Sequence, residues 1–450
     1  MKQRQVKLIK RSAIVLVLSS LFSVSAFAET VNLKTSIQRA LNQNPNLEVS
    51  QAQLKQAKLA LSQAELSRLP QVNLSLTASN SNNALSAFGM KLQQQGVVAS
   101  DFAPSALNNP DGYTDFNTRV EMLLPVWNGG KISASQDQAS EMIQAALYSD
   151  RAMQQFLTYS VYQAYESVHA ARAHIKVAEQ AKRTADAFVK TTQNLVNEGV
   201  VVRSELLSAK VHQSMADAAL LKAEGQEQIA LDTLKVLMNE SRYADIDVGE
   251  RLDLKLPIDT EADLIEMALG ANPVLEAKRK EALSSQFATK VAKAGHYPSF
   301  NVMMRQDWND DSVALNNGSY TVAGVVSWKV TDFGVTQSSV DMANAYAQQK
   351  KSSVKAEENR VRLEVQTFWH KLVVAQKEVQ ADILAVQHAT EAQALIVKRY
   401  EGGVSTITEV LTSQTRLDEA KAELVSAKFD VNIYKAKLRL ATGTMDMNQL

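Results

Sequence analysis

The chain has 450 residues with 16 Gly, 8 Pro and no Cys, and its 48 basic and 48 acidic side chains cancel. Gly stands at about half its usual ~7% share and Pro at less than half its usual ~5%. A many-stranded sandwich or propeller, which needs frequent turns, is therefore excluded in favour of a few long elements, helices above all. Balanced charge offers no field for nucleic acid, and the lack of Cys excludes a disulfide framework, thiol chemistry and Cys-ligated zinc.

Residues 1–28 have the pattern of a secretory signal peptide. Lys2, Arg4, Lys7, Lys10 and Arg11 form a basic start, a short apolar stretch follows, and Ala26-Phe27-Ala28 provides the small-residue cleavage site. The apolar stretch is interrupted by Ser19, Ser20 and Ser23, too early for a membrane span. Cleavage would remove five basic and no acidic residues and leave the mature chain at −5. No later apolar run is long enough for a transmembrane helix, so any entry into a membrane must be made by strands.

The remainder is duplicated. Ala40-Leu41 and Asn44-Pro45 recur 228 positions on as Ala268-Leu269 and Asn272-Pro273, and Leu69-Pro70 aligns with Tyr297-Pro298. Further along the offset is 204: Asn128-Gly129-Gly130 aligns with Asp332-Phe333-Gly334, Gly199 with Gly403, Glu205-Leu206-Leu207 with Glu409-Val410-Leu411, and Asn239 with Gly443. The first copy thus carries 24 extra residues between Pro70 and Asn128, and the Ser-, Asn- and Gly-rich stretch 79–113 reads as a surface loop. The expected organisation is a first repeat at 29–239, a linker at 240–262, a second repeat at 263–443 and a tail at 444–450. The stretch 240–260 carries no recognisable pattern.

Each copy begins with a helix, in the first about 33–68, stopped by Pro70. A β-hairpin follows at 72–124. Val72, Leu74 and Leu76 share one face of its first strand, as do Phe116, Thr118, Val120, Met122 and Leu124 in its second, with Asn117, Arg119 and Glu121 opposite. The second hairpin, 299–330, repeats this with Phe300, Val302, Met304, Tyr320, Val322, Val326 and Trp328. Such alternation fits either a sheet covered on one face or a membrane barrel with its apolar face outward. Four strands cannot close a barrel, whose minimum is about 8, so a barrel would be shared among several chains.

From 131 to 197 there is neither Pro nor Gly, enough for a helix of roughly 100 Å at 1.5 Å per residue. Leu157, Ala164, Ala171, Ala178 and Ala185 recur every seventh position, beside Val161, Val168 and Ile175. The second copy has Val361, Phe368 and Ala375, with Val365, Leu372, Val379 and Val386. Sustained heptads predict coiled-coil packing. Gly199 and Gly403 break these helices, and shorter ones return over about 204–238 and 406–442. The fold class is therefore mainly α with a small β part: duplicated long coiled-coil helices plus four membrane β-strands per chain.

No phosphate-binding loop, nucleophile elbow, zinc-protease motif or EF-hand loop occurs. His169 and His174 are five apart, poor spacing for shared metal ligation on a helix. Gly129-Gly130-Lys131 reads as a turn into a helix rather than a phosphate nest. Neither catalytic nor cofactor or metal residues are expected.

The strand end Leu124-Pro125-Val126-Trp127-Asn128-Gly129-Gly130, the helix breaks Glu198-Gly199 and Tyr400-Glu401-Gly402-Gly403, and the acidic residue six places after each aligned Gly together resemble the TolC-type outer-membrane efflux protein family. The resemblance covers the whole mature chain. It implies a homotrimer whose four strands per chain form one barrel in the outer membrane, continuous with a large periplasmic helical tunnel. The implied function is a passive export duct of a tripartite efflux or type I secretion system, joined to an inner-membrane transporter through a periplasmic adaptor. It further implies a gated periplasmic entrance, where Glu205 and Glu409 fall on acidic positions and Tyr400 on the aromatic one. This sequence departs from the family's closing network: the arginine position is Ser405 and a further acidic position is Thr412, while Arg203 lies nearby in the other copy. The adaptor would dock at the helix-tip turns, at Gly199 and Val200 and at Gly402, Gly403 and Val404. The competing reading is a periplasmic coiled-coil adaptor without a pore; an adaptor of that kind has β-rich domains flanking a single helical hairpin, whereas this chain has two equivalent units.

Overall fold

The computed structural model describes residues 29–447; the signal-peptide segment lies outside the described residues. In chain order the elements are β1 (Glu29–Val31), α1 (Leu33–Gln43), α2 (Pro45–Leu66), β2 (Gln71–Ser81), α3 (Ala84–Gln93), α4 (Pro104–Asn108), β3 (Tyr113–Trp127), α5 (Lys131–Asn197), α6 (Arg203–Leu237), β4 (Ile246–Val248), α7 (Glu261–Ala271), α8 (Pro273–Lys293), β5 (Ser299–Asp310), β6 (Gly318–Ser327), α9 (Val335–Glu401) and α10 (Ile407–Ala441). The two long helices each have 67 residues and the two return helices 35, so the duplication seen in the sequence is carried into the backbone.

Backbone conformation supports the alignment of the copies at single-residue level. Asn239 and Gly443, paired by the 204 offset, both take left-handed φ, at 55° and 71°. So do Gly129 and Phe333, at 65° and 53°, at the turns from β3 into α5 and from β6 into α9.

Two expectations need correction. The helix predicted over 33–68 is two helices. Pro45 drives Asn44 into extended backbone (φ −72°, ψ 125°) because its ring crowds the preceding residue out of the helical region. The break is used: Asn44 Nδ2 donates to the Leu237 carbonyl at 2.9 Å, satisfying an end group of α6. The segment 79–113 is likewise not an irregular loop. It holds α3, a 3-10 turn (Ala99–Phe102) and α4. Asn83 caps α3 by accepting from the Ser86 N–H at 3.1 Å.

The described chain falls into two compact units, one of residues 48–153 and 266–363, the other of the remainder. The second unit is helical and carries the main apolar core. Leu157, Val161, Tyr162, Tyr165 and Val168 of α5 pack with Leu33, Ile37 and Ala40 of α1 and with Leu231 and Leu234 of α6. The seven-residue series from Leu157 to Ala185 is buried throughout. The unpatterned stretch 240–260 is a strap across this core. Its β4 pairs in parallel with β1, Arg251 donates to the buried Glu166 carboxylate at 2.6 and 2.8 Å, and Arg172 pairs with both Glu227 and Asp247.

The first unit holds a four-stranded antiparallel meander in the order β2-β3-β5-β6. Its register sets Val72 opposite Met122, Met122 opposite Met304 and Met304 opposite Val322. One face is therefore apolar across all four strands, and much of it is exposed, including Val72, Leu74, Tyr320 and Val326. The other face is polar: Asp307 accepts from Arg119 at 2.7 Å and forms an ion pair with Arg305 at 2.8 Å, and Asn117 donates to Asn309 at 2.9 Å. Among the described residues β2 and β6 are free edges. No helix among the described residues is long and apolar enough to cross a membrane.

Candidate functional site

The residues singled out at the helix breaks all fall in the helical unit. α5 and α9 end in the same local structure. Gly199 and Gly403 take left-handed φ of 73° and 71°. Each lets the next N–H reach back: Val200 N to the Leu195 carbonyl at 2.9 Å, and Val404 N to the Arg399 carbonyl at 2.8 Å. The glycine N–H groups bond Val196 and Tyr400 carbonyls at 3.1 and 2.9 Å, completing the Schellman pattern. Val200 and Val404 then stand exposed at 64% and 71%, with Gly402 exposed beside them. Two rigid turns thus present apolar tips to the surroundings.

The acidic positions sit one turn further on, and their surroundings differ. Glu409 is in the first turn of α10. Its N–H donates to the N-cap hydroxyl of Thr406 at 3.3 Å, and its carboxylate accepts from the Ser405 hydroxyl. Ser405, at the position where the resemblance would place an arginine, therefore engages Glu409 within its own turn. Glu205, in the first turn of α6, has one buried carboxylate oxygen with no hydrogen-bond partner among the described residues. It faces Tyr400: burial and the Glu205 charge raise that phenol above its ordinary value. The Tyr400 ring packs against a small apolar cluster of Ile407, Val410 and Leu411. Glu205 and Tyr400 come from different repeats and the fold brings them together, whereas Ser405 and Glu409 are local partners four positions apart. Arg203 is exposed at the start of α6 and makes no ion pair among the described residues.

Thr192 was not singled out in the sequence, yet it is fully buried with its hydroxyl unpartnered beside Tyr400. A signal for it existed: Thr192 is the next seventh position after Ala185, where the apolar seam turns polar.

Away from the tips, His174 and His212 line an alanine-rich groove of about 510 Å³ between α5, α6 and α10. Burial holds both imidazoles below their ordinary 6.5, with Asp418 opposing this at His212. A lowered folded value means the fold favours the neutral ring, so this stability is complete above 6.5 and lost as the pH falls through the folded values. The thermal midpoint is expected to drop between about pH 7.5 and 5.5, and His174→Asn with His212→Asn should flatten that drop. An unchanged pH slope in the double variant would refute the assignment.

A sequence model described as outer membrane efflux protein matches residues 36–240 and 264–444. The outer membrane efflux protein BepC of Brucella suis is 22% identical over 65% of this chain, and the match spans 64% of the length of BepC. The outer membrane protein TolC of Escherichia coli is 21% identical over 96% of this chain and 86% of its own. Among solved structures, the outer membrane protein VceC of Vibrio cholerae superposes with a TM-score of 0.77 at 19% identity, covering 91% of this chain and 96% of that one. The open state of the MtrE outer membrane channel of Neisseria gonorrhoeae gives 0.75 at 17%, covering 93% and 90%. Both repeats and their order are shared along nearly the full described length, and the chain belongs to the outer membrane efflux protein family.

Proposed function

We propose that three copies of this chain close their sheets into one barrel through the outer membrane and act as the passive exit duct of an efflux system. The observation that carries this is the meander. It has an apolar face continuous over four strands, and its two free edges, β2 and β6, run in opposite directions, so β6 of one copy can pair antiparallel with β2 of the next. Long, exposed, apolar-faced edges invite aggregation in water; ring closure removes the edges and lipid takes the apolar face. Three copies give twelve strands, within the known range of such barrels. The purified trimer, reconstituted in planar bilayers, is expected to conduct ions. A trimer that inserts and stays silent would refute the duct.

An energised inner-membrane transporter and a periplasmic adaptor would supply the drive. The exposed tips at Val200 and Val404 are the surfaces offered to the adaptor. At the entrance, Glu205 and Glu409 of three copies would form an acidic ring that concentrates cations. Glu205→Ala with Glu409→Ala is expected to move the reversal potential under a salt gradient toward zero and to relieve block by divalent cations. Unchanged selectivity together with unchanged block would remove these two residues from the conduction path.

A further inference from the structure

The first hairpin carries the extra residues of the duplication, and they are folded and seated. α3 lies against the polar face of the sheet at the end away from the long helices. Gln94 Nε2 donates to the Asp115 carboxylate and to the Thr114 carbonyl, both at 2.9 Å, and the Tyr113 hydroxyl donates to Gln94 Oε1 at 2.8 Å. Asp115 has the same strand parity as Asn117 and Arg119, so it marks the polar face. A second latch holds the segment closed on itself: Lys91 pairs with Asp101 at 2.8 Å, and Phe88 meets Phe102 edge-on at 5.6 Å.

The helix has two unlike sides. Ala87, Lys91 and Gln94 recur at four- and three-residue steps and lie on the sheet side, with Ala87 only 1% exposed. Leu85 and Leu92 are seven apart on the opposite side and stand 84% and 54% exposed. If the polar faces line a pore, that opposite side points inward to the pore axis. The second hairpin has no counterpart, since β5 and β6 are joined by the short stretch 311–317.

We infer that α3 narrows the outer mouth of the channel, where three copies present Leu85 and Leu92 to one another as an apolar constriction that slows inward passage of bulky hydrophilic solutes. This rests on the barrel reading above. Its physical basis is that an apolar narrowing resists wetting and so resists polar cargo more than a polar one of equal width.

The absence of Cys allows a direct test. Ser75→Cys places a single thiol on the polar face of β2, opposite Arg119. Intact cells bearing the full-length variant are treated from outside with a small hydrophilic maleimide or with the same maleimide on a polyethylene glycol chain. The small reagent is expected to react alike in all variants. The polymer is expected to react slowly with the natural insert and about an order of magnitude faster when 84–108 is replaced by a Gly-Ser linker. Leu85→Ser with Leu92→Ser changes only exposed side chains and should also speed the polymer, which guards against a shortened chain that fails to assemble. Equal polymer rates in all three would overturn the constriction. A thiol at position 75 that even the small reagent never reaches would overturn the pore reading itself.

Discussion

Arg251→Ala is expected to lower the unfolding free energy by about 3 kcal/mol, near the lower end of the range for breaking a buried ion pair. Glu166 is 0% exposed in the core of the helical unit, and Arg251 supplies two of its hydrogen bonds. Asn432 Nδ2 supplies another at 3.1 Å, and the second carboxylate oxygen has no hydrogen-bond partner among the described residues. Removing the guanidinium leaves a desolvated charge with one remaining donor. Arg251 is itself partly exposed, so water can enter the vacated space and the upper end of the range is not reached. Urea unfolding followed by helical circular dichroism measures the loss. Arg251→Leu combined with Glu166→Gln removes the charge as well as its partner and should recover most of it. A loss within about 0.5 kcal/mol, as for an exposed pair, would show that the strap is not anchored here.

A larger contrast is expected between two neighbouring glycines at the turn from β3 into α5. Both have left-handed φ, 65° at Gly129 and 83° at Gly130, so Ala costs roughly 1 kcal/mol of backbone strain at either. Only Gly129 is also enclosed. A Cβ there would stand 2.8 Å from Tyr297 Cβ and 2.9 Å from the Ala294 carbonyl oxygen, whereas at Gly130 it would meet nothing within 4 Å. The neighbour at Gly129 includes backbone and cannot swing aside. Gly129→Ala should therefore cost about 2–4 kcal/mol, adding an overpacking term that Gly130→Ala lacks. Thermal unfolding of the two variants side by side checks this. Equal midpoints would mean that the strand-to-helix turn relaxes freely.

The aligned position in the second copy is Phe333, also left-handed and almost wholly exposed. Position 333 can accept a side chain because no packed neighbour stands over it. The same turn is thus enclosed in one repeat and open in the other, although the sequence pattern marks them as equivalent.

Much of the fold was legible in the residues alone. The uninterrupted stretch 131–197 and the paired breaks at Gly199 and Gly403 set the long helices and their returns, because Pro and Gly dominate local backbone energetics. Strict alternation fixed which face of each strand is apolar, since a side-chain period of two leaves no other assignment. The offset of 204 even paired Asn239 with Gly443, which share a left-handed conformation. Of the site residues, the positions of Glu205, Glu409 and Tyr400 could be named from the resemblance and the spacing.

What the tertiary structure decided is which distant residues meet. Tyr400 lies beside Glu205 and Thr192, because the return helices bring the two repeats' tips into one small cluster. The stretch 240–260 has no period of its own; it is ordered by β1, Glu166 and Arg172, partners more than 70 residues away. The extra segment in the first hairpin looked like loop in composition, yet Ala87 and Gln94 find a polar sheet face to pack on. Local propensity and periodicity act over a few residues and can be read in order along a chain. Long-range pairing depends on where folding places the partner, and that information is spread over both repeats at once.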